Sequence, residues 1–79
     1  MARVEVKMPE LGNEVTEAQV DMWLKGVGDD VSSGDEIVAV TTPKVSFELE
    51  APEGGKITEI LVEEDAVVGV GTVLAIIET

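Results

Sequence analysis

Few residue types in this chain could carry covalent chemistry. It has no cysteine and no histidine, which removes thiolate nucleophiles, imidazole bases and zinc sites of the Cys/His kind. What remains is an abundance of carboxylates, Arg3, and the lysines Lys7, Lys25, Lys44 and Lys56. Lys44 stands out by its surroundings, Val40-Thr41-Thr42-Pro43-Lys44-Val45-Ser46-Phe47-Glu48-Leu49-Glu50. The flanks alternate apolar and polar residues and read as two strands. Thr42-Pro43-Lys44-Val45 between them reads as a tight turn, with Pro43 at its second position, where the ring presets φ, and Lys44 at its third. An amine on a rigid hairpin tip suits an enzyme that grips the turn and acylates it. It suits catalysis poorly, because base or nucleophile lysines rely on burial or a neighbouring cation, and a turn tip provides neither.

The other candidates have simpler explanations. A paired-carboxylate hydrolase needs two acids converging on one substrate, yet most acids here alternate with apolar residues or sit in turns, as on a solvated face. Asp29, Asp30, Asp35 and Glu36 do not have the spacing of a helix-flanked calcium loop and read as turn residues. Gly26-Val27-Gly28 lacks the remainder of a dinucleotide fingerprint and its βαβ setting. Lys7, Lys25 and Lys56 read as solubilising or edge-protecting surface groups.

The elements that position Lys44 are strands. Arg3 to Met8 alternates cleanly, followed by a loop from Pro9 to Glu14. Thr16 to Leu24 reads as a second strand with Val20, Met22 and Leu24 on one face and Trp23 on the other unless a bulge intervenes. A turn at Gly26–Asp30, a brief strand at Val31 and a turn at Ser32–Asp35 come next. Glu36–Thr41 and Val45–Glu50 are the hairpin arms. After a turn at Ala51–Gly55, Lys56–Val62 and Val73–Glu78 are the last long strands, separated by an acidic, glycine-containing stretch. The chain also repeats itself at an offset of 37 residues: Val20 aligns with Ile57, Trp23 with Ile60, Leu24 with Leu61, Val31 with Val68, Gly34 with Gly71 and Ile37 with Leu74. One duplication of about four short strands implies a pseudo-two-fold sandwich or flattened barrel rather than a solenoid.

Composition sets the limits. Residues 1–79 make one small domain, expected to be excised from a longer chain. With 44% apolar residues and no cysteine, its stability rests on packing. The formal net charge of −12 argues against nucleic acid and anionic membranes as partners and fits basic docking surfaces. No apolar run approaches a membrane span and no signal-peptide pattern opens the chain, so a cytoplasmic setting is expected, or the mitochondrial matrix in a eukaryote.

Four stretches together resemble the lipoyl domains of 2-oxo acid dehydrogenase complexes over essentially the whole length. They are Val6-Lys7-Met8-Pro9-Glu10-Leu11-Gly12, Trp23-Leu24-Lys25-Gly26-Val27-Gly28-Asp29-Asp30-Val31, Thr42-Pro43-Lys44-Val45-Ser46-Phe47-Glu48 and Ala51-Pro52-Glu53-Gly54-Gly55-Lys56-Ile57. The resemblance implies an all-β fold: a flattened β-barrel or sandwich of two four-stranded antiparallel sheets with pseudo-two-fold symmetry. It implies that Lys44, flanked by Pro43 and Val45, bears lipoic acid through an amide. The domain would then be a non-catalytic carrier, part of a dihydrolipoamide acyltransferase subunit. Its arm would shuttle acyl groups and electrons between a thiamine-dependent 2-oxo acid decarboxylase, the acyltransferase and a dihydrolipoyl dehydrogenase, the cofactor supplying the chemistry. A lipoate ligase, or a lipoyl or octanoyl transferase, would load it. By the same resemblance the loop Leu11, Gly12, Asn13 and Glu14 lies near the hairpin and helps the cognate decarboxylase choose this domain; as residues alone it reads equally as an ordinary surface loop.

One departure bears on loading. The family places Asp before the lysine, and this chain has Pro43, which keeps a turn but removes a carboxylate that a partner could read. Two alternatives stand beside the carrier. Biotin carrier domains share the fold but flank the lysine with methionines, where this chain has Pro43 and Val45. An unmodified lipoyl-like adaptor would take no adduct and tolerate Lys44→Ala.

Overall fold

The computed structural model describes residues 2–10 and 15–79, and no helix occurs among them. The strands are β1 (Arg3–Lys7), β2 (Glu17–Trp23), β3 (Asp30–Val31), β4 (Glu36–Thr41), β5 (Ser46–Glu50), β6 (Gly55–Ile60), β7 (Val67–Gly69) and β8 (Val73–Glu78). They lie within one or two residues of the alternating runs at most ends. The exception is β7, in the acidic stretch that alternation alone leaves unassigned. Its repeat partner β3 is equally brief.

Every pairing is antiparallel, and the strands form two separate sheets. The first has the order β1-β8-β6-β3 and the second β5-β4-β2-β7. The fold is therefore the flattened sandwich rather than a closed barrel, with extents of 36 × 20 × 18 Å. Exchanging β1 with β5, β8 with β4, β6 with β2 and β3 with β7 turns one order into the other.

The repeat reaches down to single hydrogen bonds. Gly28 N–H donates to Ile57 O at 2.8 Å, and the repeat equivalent, Asp65 N–H, donates to Val20 O. Asp35 N–H donates to Ser32 O as Thr72 N–H does to Gly69 O. Ladder irregularities fall between Val20 and Met22 in β2 and between Ile57 and Glu59 in β6, again at equivalent positions. Left-handed backbone also repeats: Gly34 has φ 92° and Gly71 φ 89°, while Gly28 at φ 95° has Asp65 at φ 71° as its counterpart. Asp tolerates this region better than most residues with a Cβ.

The bulge in β2 decides the fate of Trp23. It inserts Asp21 into the ladder and reverses the alternation beyond it. Met22 and Leu24 therefore face outward at 51% and 41% exposure, against the expectation that they share a face with Val20. Trp23 turns inward against the core, and its indole N–H donates to Val62 O at 3.1 Å.

Both halves supply the core. Its largest fully buried side chains are Met8, Ile37, Ile57, Leu74, Ile77, Val20, Val38 and Val40. The accessible surface is 4595 Å², against about 4,600 Å² expected for a compact monomer of this mass. A sandwich without disulfides thus reaches ordinary compactness by aliphatic packing alone. Turn carboxylates help: Asp29 Oδ2 accepts from Gly26 N–H at 2.7 Å and Asp35 Oδ2 from Ser32 N–H at 2.8 Å. Two of the four acids that superficially suggest a calcium loop, Asp29 and Asp35, are thereby tied to backbone donors.

Candidate functional site

Lys44 lies in the four-residue connection Thr42–Val45 between β4 and β5, whose two central residues are Pro43 and Lys44, with Pro43, Lys44 and Val45 all exposed. Two-residue hairpin loops usually need positive φ at one or both central residues to match strand twist. Proline cannot supply it, and neither Pro43 nor Lys44 has positive φ. The turn is closed by a side chain instead. Thr42 N–H donates to Val45 O at 2.8 Å. The Thr42 hydroxyl donates to the same carbonyl at 3.0 Å, and accepts from Val45 N–H at 3.0 Å and Lys44 N–H at 3.2 Å.

Thr42 is the buried polar side chain of the described core, 5% exposed. Its hydroxyl occupies the site that a backbone carbonyl fills in an ordinary hairpin, and it orders the backbone of the lysine itself. Sequence reasoning had placed the tightness of the turn in Pro43 and passed over Thr42. The available signal was its residue type, since a hydroxyl one position before a turn proline can bond to neighbouring N–H groups. The strand below is braced in the same way. The Thr41 hydroxyl donates to the Asp21 carboxylate and lies 3.2 Å from the Ser46 hydroxyl.

Two open depressions flank the tip. One of about 370 Å³ is lined in part by Ala18, Thr42, Pro43 and Val67. The other, of about 280 Å³, is lined by Val15, Thr16, Glu17, Pro43 and Lys44. The segment entering β2 therefore borders the lysine. Leu11, Gly12, Asn13 and Glu14, proposed from sequence as the recognition loop, lie outside the described residues.

The chain ends take the equivalent place in the first sheet. Thr79 N–H donates to Ala2 O at 2.9 Å, the counterpart of the Thr42–Val45 bond. Ala2 and Thr79 adjoin the row Arg3–Glu78–Lys56–Asp30, close to the turn at Gly26–Asp29 that follows β2. That turn lies beyond the Ile37 end of β4, and Lys44 lies beyond the Thr41 end. The lysine tip and the termini thus occupy opposite ends of the sandwich.

This arrangement positions one amine for another protein to reach. Its backbone is fixed by the Thr42 hydroxyl, and its side chain extends from an exposed tip. An amide bond to a carboxylic-acid cofactor needs only that accessible amine, so the site fits such a group.

Comparison with known proteins adds three findings. The sequence profile of the biotin/lipoyl family, described as "Biotin-requiring enzyme", matches residues 4–77. The chain is 47% identical over 74 residues to the dihydrolipoyllysine-residue acetyltransferase component of the pyruvate dehydrogenase complex of Corynebacterium glutamicum, covering 94% of this chain and 11% of that protein. It is 42% identical over 73 residues to the dihydrolipoyllysine-residue succinyltransferase component of the 2-oxoglutarate dehydrogenase complex of Staphylococcus saprophyticus, covering 92% and 17%. The chain therefore spans less than a fifth of either relative. In three dimensions it is similar to the solution structure of the lipoyl domain of the 2-oxoglutarate dehydrogenase complex from Azotobacter vinelandii, with TM-score 0.78, 29% identity and 96% coverage of both chains.

Proposed function

The chain belongs to the biotin- and lipoyl-attachment family as a lipoyl domain, and from this premise we propose that lipoate is joined by an amide to Lys44. The observation that carries the proposal is the exposed Lys44 tip, held by a buried threonine at the end of the sandwich remote from Ala2 and Thr79. Lipoate, when bound, supplies a carrier for acyl groups and electrons. The residues of this chain do the rest. Thr42 holds the tip, Pro43 restricts its backbone, and the lysine stem adds reach. Any chain continuing from Ala2 or Thr79 would leave from the far end and keep clear of the arm. Tethering of this kind raises the effective concentration of the arm at each partner site.

By analogy with its longer relatives, we place this domain in a dihydrolipoamide acyltransferase subunit of a 2-oxo acid dehydrogenase complex. A lipoate ligase or lipoyl/octanoyl transferase loads it. The thiamine-dependent decarboxylase, the acyltransferase domain and the dihydrolipoyl dehydrogenase then visit the arm. The setting proposed is cytoplasmic, or the mitochondrial matrix in a eukaryote.

The test is intact mass and peptide mapping after incubation with a lipoate ligase and lipoate, with a biotin ligase and biotin in parallel. A single lipoyl adduct on the Lys44 peptide, lost in Lys44→Ala, is expected. A biotin adduct would move the chain to the biotin branch of the family. No adduct in wild type, but one in Pro43→Asp, would show that proline blocks loading and would favour an adaptor role.

A further inference from the structure

The pseudo-two-fold supplies an internal control for surface charge. The outward face of the first sheet mixes signs, with Arg3, Lys7 and Lys56 among Glu5, Asp30, Glu59 and Glu78. Arg3 pairs with Glu59 at 3.1 Å and Lys7 with Glu5 at 3.4 Å. The outward face of the second sheet carries Glu17, Asp21, Glu36, Glu48 and Glu50 and no basic residue. At equivalent positions Arg3 becomes Ser46, Lys56 becomes Gln19 and Lys7 becomes Glu50. Since the first sheet folds with balanced charge, the fold itself does not require the acidity of the second.

The acidity also has a local cost. Glu36 and Glu50 face each other across the β4–β5 ladder, and like charges directly opposite are destabilising. On the same face lie exposed apolar groups, Met22 at 51% on β2 and Val67 at 59% on the edge strand β7. Their equivalents on the first sheet are the charged Glu59 and Asp30. The face is continuous with the Lys44 loop, because β4 and β5 are the arms of that hairpin.

We propose that the outward face of the second sheet is the docking surface for the enzyme that acylates Lys44, engaged by basic side chains beside that enzyme's active-site entrance. The exposed apolar side chains give contact area, and the acidic ones give orientation and association rate. This rests on the reading of Lys44 as the lipoylation site.

The experiment compares initial rates of ligase-catalysed lipoylation, across a salt series, for two triple variants of equal charge change. Glu36→Gln/Glu48→Gln/Glu50→Gln alters the second sheet, and Glu5→Gln/Glu59→Gln/Glu78→Gln alters the first. The second-sheet variant is expected to lose about tenfold in kcat/KM, mostly through KM, with a shallower salt dependence. The first-sheet variant is expected to stay within about twofold of wild type, its pairs being exposed and weak. Thermal unfolding separates docking from folding, since the second-sheet variant relieves repulsion and should not melt earlier. Equal losses in both variants, or none in either, would overturn the docking face while leaving the carrier reading intact. A wild-type domain that takes no lipoyl adduct would overturn the carrier reading and the docking face together.

Discussion

Replacing Thr42 by valine deletes one oxygen and keeps the side-chain shape. That oxygen receives Val45 N–H at 3.0 Å and Lys44 N–H at 3.2 Å, and donates to Val45 O at 3.0 Å. The Val45 carbonyl keeps the Thr42 N–H bond, so the real loss falls on the two donors. Each hydrogen bond contributes about 1 kcal/mol net, and the exposed tip lets water recover part of it. The expected destabilisation is about 2 kcal/mol, or a melting temperature about 10 °C lower for a domain of this size. A total stability of roughly 4–12 kcal/mol leaves the variant folded. Thermal and denaturant unfolding followed by far-ultraviolet circular dichroism measures this, with Thr42→Ser as the variant that retains the hydroxyl. Thr79→Val is the internal control. Its hydroxyl donates to Ala2 O at a long 3.5 Å and is exposed, so a change within about 0.5 kcal/mol is expected. Lipoylation of Thr42→Val should fall in kcat/KM below the melting transition, because the lysine backbone loses its anchor. The reasoning is refuted if Thr42→Val melts within about 2 °C of wild type, or if Thr42→Ser loses as much as Thr42→Val.

Other perturbations bear on the frame. A Cβ on Gly55 would sit 2.3 Å from Glu78 O and 2.8 Å from Ile77 Cγ2; Gly55→Ala should cost about 3 kcal/mol, and a denaturation midpoint equal to wild type would contradict the close β6–β8 approach. Trp23→Phe removes the indole bond to Val62 O and should cost about 1 kcal/mol beyond its change in packing; comparing Trp23→Phe with Trp23→Leu by chemical denaturation separates the two contributions. Lys44→Ala should abolish the mass adduct yet change stability by no more than about 0.5 kcal/mol, as befits an exposed tip. A larger loss would assign Lys44 a structural part.

Much of the frame was legible because two independent signals agreed. Alternation marks a strand and the repeat says where its twin lies, so β3 at Val31 predicts β7 at Val68 even where alternation is too short to speak. Met22 and Leu24 were placed on the wrong face for a definite reason, and the bulge named as the condition for Trp23 to turn inward is present. Periodicity of two presumes an unbroken ladder, and the bulge at Asp21 shifts the phase of everything beyond it. The repeat held the correction in advance, since Trp23 aligns with the apolar Ile60. Lys44 was legible from its turn, whereas the role of Thr42 was not. A threonine that packs outward and one that caps a turn are the same letter, and only the fold tells them apart. The acidic second-sheet face was hidden in a different way. The net charge was plain, but that the strand-borne basic residues all fall on one sheet depends on which strands share a face.

The same symmetry separates what the fold requires from what a partner would read. Bulges, turn bonds and left-handed positions recur in both halves, as they must if either sheet is to twist and close over the core. The halves part in two places. One is the site equivalent to the hairpin, which holds Ala2 and Thr79 instead of a lysine turn. The other is the outward surface, balanced in charge on one sheet and acidic on the other. Both departures lie on the second sheet, whose β4–β5 loop carries Lys44. A duplicated scaffold has no packing reason to differ on its solvent faces, so unbalanced charge along the sheet that carries the lysine turn is best explained by what must bind there. Exchanging the outward residues of the two sheets, while leaving every inward residue in place, should therefore preserve folding and move ligase recognition away from the lysine.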